Sequence, residues 1–303
     1  MSYLDELFNL RGKVVAAWGG TGALVSTMAK GLCAAGCTVI ILGRNQERGN
    51  QVVAKCDAAG RSSGGVAEFL QTDVSDLDQV IGARQHIYRT HGRVDVLLNG
   101  AGGNNPAATV GPDNPFCGIE EAEMQVVMDL NYTHGTIHTC QVFGERMLTQ
   151  SGTSNIINIT SASAHIPLSK VVAYSAAKAA CLSLTLFLAR EWAEQDIRVN
   201  AISPGFFPAE QNMGLLYIDS DPQKGLTERG DQIIGHTPVG RVGKAEELIA
   251  ATLLLASDAA SPFTTGHEMI VDGCFTNKPD HNYKRNNSPR LNENAVFFLA
   301  EVA

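Results

Sequence analysis

Hydrophobic positions in this chain come in two patterns that alternate along its length. Short unbroken runs such as TVIIL (38–42), VDVLL (94–98) and NIINIT (155–160) are separated by stretches in which apolar residues recur every three or four positions, as Leu24, Met28 and Leu32 do. Unbroken runs rich in Val, Ile and Leu are the mark of parallel strands buried on both faces, and the second pattern marks helices with one apolar face. The runs predict strands over 13–17, 38–42, 68–72, 94–98, 155–160, 198–202 and 269–271, with helices over 24–35, 46–59, 77–90, 121–150, 172–195 and 246–255. Gly36 and Gly92 stop two of these helices. Strictly alternating strands and helices predict an α/β fold, a doubly wound, mostly parallel sheet of the Rossmann kind.

Two insertions interrupt the rhythm. Residues 104–118 are rich in Pro, Gly and Asn and read as a loop, and 206–240 carry turn signals with one weakly helical part. A long segment inserted near strand ends is expected to be a substrate lid. The expected division is one catalytic domain over 10–275, with the lid at 206–240 and a tail at 276–303.

Composition narrows the function. Among 303 residues, 44% are hydrophobic, enough for a substantial core, and the formal charge of −8 argues against a nucleic-acid or anionic-membrane surface. The opening MSYLDELFNL has acidic residues and no apolar centre, unlike a secretory signal, and no run of about 18 apolar residues suggests a membrane span. Seven scattered cysteines without a CxxC pair point to reduced thiols in a cytoplasmic protein, with neither a disulfide framework nor a metal site.

Candidate chemistry lies at the strand ends. Tyr174 and Lys178, four apart in YSAAK, fall on one helix face. An ammonium beside a phenol favours phenolate, so a tuned phenol can serve as general acid or base. Ser161 ends the fifth strand, where α/β sheets meet their ligands, and its hydroxyl could orient a substrate oxygen. A Y-x-x-x-K spacing alone is weak, and a solvated helix pair is the plain alternative. The order of the surrounding signals gives it weight: a glycine cluster at 19–22, TDV at 72–74, NGAG at 99–102, LN at 130–131, Ser161, YSAAK at 174–178 and SPG at 203–205.

In that order and over about residues 10–275, the chain resembles the short-chain dehydrogenase/reductase family. The resemblance implies a nicotinamide cofactor and hydride transfer between a carbonyl and a secondary alcohol, with no metal. It implies a catalytic set of Asn131, Ser161, Tyr174 and Lys178: Ser161 holds the substrate oxygen, Tyr174 passes the proton, and Asn131 holds a water of a proton relay behind the lysine. Cofactor contacts are implied at Gly19, Thr21, Gly22, Leu24, Arg44, Asp73, Val74, Asn99, Gly100, Ala101, Tyr174, Lys178, Pro204 and Gly205. Asp73 would meet the adenine; its alternative duty is capping the helix that starts near Leu77, which Ser75 could also perform. NAD-using members of the family end the second strand with an acid. Here Gly43 stands there and Arg44 follows, so NADP(H) is favoured over NAD(H). The stretch from SPGFFPAEQN to HTPVGR resembles a sugar-acid subgroup of the D-mannonate oxidoreductase (fructuronate reductase) type. It offers Gln211, Asn212, Arg229 and His236, with Asn104 from the loop after NGAG, as groups for a carboxylate and hydroxyls. Members of the family are commonly homotetramers paired through long helices. Alternatives are another small ketone or keto acid as substrate, or a catalytically weakened homologue that binds without turnover.

The weakened alternative rests on the glycine loop. Trp18 and Val25 occupy positions where the family pattern has Thr and Gly. On sequence grounds, Val25 should hold helix and strand apart and the indole should crowd the pyrophosphate, so that replacing Val25 with glycine would tighten cofactor binding.

Overall fold

The computed structural model describes residues 3–277. Seven strands form one all-parallel sheet: β1 (Val14–Trp18), β2 (Thr38–Gly43), β3 (Val66–Gln71), β4 (Val96–Asn99), β5 (Ser154–Ile159), β6 (Ile197–Pro204) and β7 (Glu268–Val271), in the order β3-β2-β1-β4-β5-β6-β7. The chain winds outward to β3 and returns to place β4 beside β1, opening a crevice at the carboxyl ends of these two strands. Each strand predicted from an apolar run is present, displaced by at most two residues at either end, while a short helix at Tyr3–Leu7 had no signal in the pattern.

One face of the sheet is covered by α1 (Ala23–Ala34) and α2 (Gln46–Gly60), the other by α3 (Leu77–His91) and a long helix α4 over 121–147 built of Glu121–Met128, Asp129–His138 and Thr139–Met147. Also on that second face lies α5 (Val172–Glu191). The inserted segment 206–240 carries α6 (Glu228–His236), and α7 (Ile249–Ala256) returns to the first face. The cores follow this division. Val25, Met28, Leu32, Val52 and Leu255 pack with Val15, Ala17 and Ile41 on one side, and Val80, Ile87, Phe143, Met147 and Leu188 pack with Ala16, Ile40 and Leu97 on the other. Successive strand residues face opposite sides, so runs without polar interruption were required.

Helix starts follow local chemistry. Asn45 caps α2 by accepting from Arg48 N at 2.9 Å, and Asp76 caps α3 by accepting from Gln79 N at 3.1 Å. Neither Asp73 nor Ser75 is needed as that cap. The middle of α4, Asp129–His138, winds as a π-helix. There the Asn131 carbonyl accepts from the Thr136 hydroxyl at 2.9 Å, five residues on, and from Cys181 Sγ at 3.4 Å.

By length and composition alone, helix α5 could cross a membrane, with mean hydropathy 1.6 over its best window. Here it lies against the sheet, with Lys178 and Thr185 buried on its inner side. The seven cysteines are all free thiols, five of them buried.

The opposite, amino-terminal edge of the sheet is fastened by charge. Asp258 accepts from Lys13 Nζ at 2.9 Å, Thr153 Oγ1 at 2.6 Å and Asn155 Nδ2 at 2.9 Å. Burial by itself pushes its carboxyl upward, but these hydrogen bonds and the Lys13 charge outweigh it and bring Asp258 down to about 2. Its depressed value means that it stabilises the fold above pH ~4, and that this contribution of ~2 kcal/mol is lost as the pH falls from about 4 towards 2. Asp258→Asn is therefore expected to cost ~2 kcal/mol in denaturant melts at pH 5, with the gap to the parent shrinking as the pH is lowered towards 3; a gap independent of pH would contradict this reading.

Candidate active site

Every loop at the carboxyl edge of the sheet between β1 and β6 carries a residue singled out in the sequence. After β1 the chain turns at Gly19, whose φ of +73° and contact with the loop after β4 leave no room for a side chain: a Cβ there would sit 2.7 Å from Ala101 N. Gly22 then takes the N-cap position of α1, with no side chain capping it. The first amides of α1 around Leu24 are thus left to an outside acceptor, the arrangement that binds pyrophosphate at a helix N-terminus.

Neither departure in this loop crowds the cleft. The Trp18 indole points into the core on the α3–α5 side, 1% exposed, and packs edge-to-face on Phe143 with ring centroids 6.2 Å apart. Its Nε1 is buried without a hydrogen-bond partner. Val25 is accommodated by a glycine elsewhere in the chain. A Cβ on Gly100 would lie 2.3 Å from Val25 Cγ2, so the valine methyl occupies space that the residue after Asn99 leaves free. The expected separation of helix and strand is absent because Gly100 absorbs the extra volume.

At the end of β2 a Cβ on Gly43 would meet Thr21 Oγ1 at 2.9 Å and Cγ2 at 3.1 Å. Thr21 therefore fills the space an acidic side chain at 43 would need. Arg44 is exposed, and among the described residues it has no ion-pair partner. Arg48, one turn into α2, pairs with Glu210 of the 206–240 insertion at 2.7 Å, which links that insertion to α2; both side chains are more than half exposed, so the pair contributes little stability. After β3, Asp73 turns its carboxylate onto Ser75 N at 2.9 Å, and Val74 is buried beside it in the core that holds Trp18.

The loop after β4 meets α4 and α5. Asn131, wholly buried, treats Gly103 as a strand neighbour would: its Nδ2 donates to Gly103 O at 2.6 Å and its Oδ1 accepts from Gly103 N at 3.2 Å, while Nδ2 also donates to Val127 O at 2.9 Å. Lys178, 4% exposed, donates to Ile159 O at 2.9 Å, and its Nζ lies 5.6 Å from the centre of the Tyr174 ring. A Cβ on Gly102 would touch both Asn131 Oδ1 at 2.5 Å and Lys178 Nζ at 3.3 Å, so these two groups flank one bare Cα. Ser161 follows β5 in extended conformation and accepts from Ser163 N at 3.2 Å, opening the turn Ala162–Ala164. The structure thus brings Asn131, Tyr174 and Lys178 together and sets Ser161 two residues beyond the carbonyl that anchors the lysine. On β6 and its loop, Pro204 ends the strand, and a Cβ on Gly205 would meet the Asp272 backbone at 2.7 Å.

The candidate substrate groups are more dispersed. Asn212 directs its amide to the 206–240 insertion itself, donating to Phe207 O and accepting from Ala209 N, both at 2.8 Å. Arg229 and His236 stand seven residues apart on α6, hence on one face, and His236 Nδ1 lies 2.8 Å from Gln232 O. Asn104 is exposed and donates to Thr109 Oγ1 at 3.0 Å. The Gln211 side chain lies outside the described residues. Sequence reasoning missed Thr21 as the occupant of the Gly43 space and missed His165 and Glu268, which meet beside Ser161; these contacts join residues far apart in the chain and leave no local pattern.

With this geometry in place, comparison with known proteins identifies the class. A family model described as enoyl-(acyl carrier protein) reductase matches residues 23–276. The chain belongs to the short-chain dehydrogenase/reductase family and is an oxidoreductase acting on CH–OH donors. It is 41% identical over 275 residues to the uncharacterized oxidoreductase UxuB of Bacillus subtilis, covering 88% of this chain and 96% of that one. A crystal structure from Haemophilus influenzae, a provisional D-mannonate oxidoreductase with bound NAD, is 36% identical with a TM-score of 0.81, covering 91% of this chain and 99% of that one. The gluconate 5-dehydrogenase of Burkholderia cenocepacia, solved with NADP and tartrate, is 29% identical with a TM-score of 0.77, covering 90% and 99%.

The packing of Val25 on Gly100 changes the expectation for this loop. Val25→Gly should leave a gap and lower stability by on the order of 2–4 kcal/mol, through lost burial and added backbone freedom, without tightening cofactor binding. Thermal melts and NADPH titration of the variant check this; tighter binding in Val25→Gly would show that the valine does strain the loop.

Proposed function

We propose that the protein interconverts a keto group and a secondary alcohol on a sugar acid of the fructuronate/mannonate type, with NADP(H) favoured as cofactor. The observation that carries this reading is the buried cluster at the ends of β4 and β5, where Lys178 Nζ lies against Tyr174 and Asn131 behind the turn that presents Ser161.

The residues present fit a nicotinamide dinucleotide. The uncapped start of α1 and the tight turn at Gly19 suit a pyrophosphate. Asp73, free of capping duty, is available to the adenine. Lys178 has three donors and a buried charge, and Ile159 O takes one; ribose hydroxyls would take others. The closed space at Gly43 and the Arg44 guanidinium, which has no ion-pair partner among the described residues, suit a ribose phosphate better than a bare hydroxyl.

When bound, the cofactor supplies or takes the hydride at its nicotinamide ring. The chain's own groups do the rest. Ser161 Oγ donates a hydrogen bond to the substrate oxygen and fixes its position. Tyr174 gives its phenolic proton to that oxygen in reduction and takes one back in oxidation. Lys178 holds a positive charge beside the phenol, stabilising the phenolate left behind. Asn131 keeps the loop at Gly103 closed against the lysine and sits where a relay water would be held. Pro204 and Gly205 would line the nicotinamide end of the bound cofactor. The substrate carboxylate is assigned to the face of α6 that carries Arg229 and His236. The sugar-acid reading is supported by two of the relatives named above, one described as a D-mannonate oxidoreductase and the other a gluconate 5-dehydrogenase solved with NADP and tartrate.

A tetramer is proposed on the same footing. Leu186 and Phe187 on α5 and Val126 on α4 are about half exposed, an apolar face suited to pairing these helices between subunits.

A panel of sugar acids and their keto forms, read at 340 nm with NADPH, NADP, NADH and NAD, tests the assignment. Turnover is expected with a fructuronate- or mannonate-type substrate, faster with the phosphorylated cofactor, and Tyr174→Phe should lower kcat by about a hundredfold or more. Turnover that survives Tyr174→Phe unchanged would refute the mechanism.

A further inference from the structure

Glu268 is out of place by the rules that shape the rest of the sheet. It lies on the edge strand β7 with its side chain only 9% exposed, where β-strand residues of this sheet are otherwise mostly apolar. A carboxylate withdrawn from water is costly unless both oxygens find donors. Here they do. Oε1 accepts from the Thr160 hydroxyl at 2.6 Å, and Oε2 lies 2.5 Å from His165 Nε2. Thr160 directly follows β5, two strands away. The intervening strand offers Ala201, which pairs with Asn158 on one side and Glu268 on the other, and its single methyl leaves the longer side chain room to cross.

Both partners bracket Ser161. Thr160 is the residue before it. His165 closes the turn that Ser161 opens: Ala164 N donates to Ser161 O at 2.9 Å and His165 N to Ala162 O at 3.1 Å. One buried carboxylate therefore grips the two ends of a six-residue segment whose second residue is Ser161. Thr160 Oγ1 also lies 3.1 Å from Ile202 O, but it has one proton, and the nearer, charged oxygen is the stronger acceptor.

We infer that Glu268 is a positioning residue for Ser161, acting through Thr160 and His165 to hold the serine hydroxyl where the substrate oxygen must sit. This rests on the proposed role of Ser161. Catalytic groups must be held to within a fraction of an ångström, and misplacement by about 1 Å costs up to about a hundredfold in rate. A carboxylate with two fixed donors supplies that rigidity from outside the cleft.

The test is a set of variants of the full chain. Glu268→Ala should lower kcat about tenfold or more with KM and cofactor Kd within about twofold of the parent. Glu268→Gln should recover most of the loss, since its amide oxygen still accepts from Thr160 and its NH2 can donate to the other tautomer of His165. In a chain already carrying Ser161→Ala, Glu268→Ala should add less than about twofold, because a residue that acts through the serine has nothing left to position. Hydrogen exchange supplies a readout that needs no substrate: in Glu268→Ala the amides of residues 163–165 should exchange faster while those of the β1–β4 strands do not change. Should the alanine variant not fold, His165→Asn removes one arm of the grip and is expected to raise the same exchange. Three results would overturn the inference: unchanged exchange at 163–165, a Glu268→Ala loss that multiplies with that of Ser161→Ala, or Glu268→Gln as impaired as Glu268→Ala with faster exchange throughout the sheet. If the parent turned over no sugar acid, the substrate reading would fail, and the exchange result would still decide the role of Glu268.

Discussion

A lysine ammonium buried to 4% exposure, hydrogen-bonded to the carbonyl of Ile159, sets the geometry around which the rest of this structure is organised. The charge cannot be left alone in a low-dielectric site, so the chain must bring acceptors to it. The end of β5 supplies one. That bond fixes α5 against the sheet at the point where Tyr174 shares its face, and it fixes the strand end from which Ser161 follows two residues later. The same strand end is held from the other side by Glu268 through Thr160 and from below by the main-chain bond of Thr160 to Ile202. Three independent fastenings thus converge on two consecutive residues. At the opposite edge of the sheet Asp258 gathers Lys13, Thr153 and Asn155 in the same manner.

Volume, more than charge, governs the dinucleotide side of the cleft. Helix α1 must approach β1 and β4 closely enough for its first amides to meet a phosphate. In this chain the approach is achieved with a valine on the helix and a bare Cα on the strand loop, at Gly100. The same logic operates at Gly43, where Thr21 occupies the missing side chain's space. Trp18 takes no part in this contest, because strand alternation sends its indole to the other face, onto Phe143.

The architecture was legible because it follows from periodicity. Parallel strands buried on both faces leave unbroken apolar runs, and every predicted strand is present. The cluster of Asn131, Tyr174 and Lys178 was legible from spacing and order along the chain. What escaped was compensation between distant positions. Val25 looked like damage because its partner, Gly100, lies 75 positions further on, and nothing local marks the two as complementary. Asn212, a substrate candidate by sequence, also ties the 206–240 insertion to itself at Phe207 and Ala209. Glu268 left no pattern at all: a single acidic residue in a short edge strand reads as solvent-facing until the fold places Thr160 and His165 around it.

The central claim is that the altered glycine loop remains a working dinucleotide site, with its carboxyl-edge cluster built for hydride transfer. Calorimetric titration of the protein with NADPH and NADH tests it most directly. The account predicts that both bind below millimolar and NADPH the more tightly, through Arg44 and the closed space at Gly43. Failure of both to bind below millimolar would contradict it and would favour a homologue that has kept the fold and lost the cofactor.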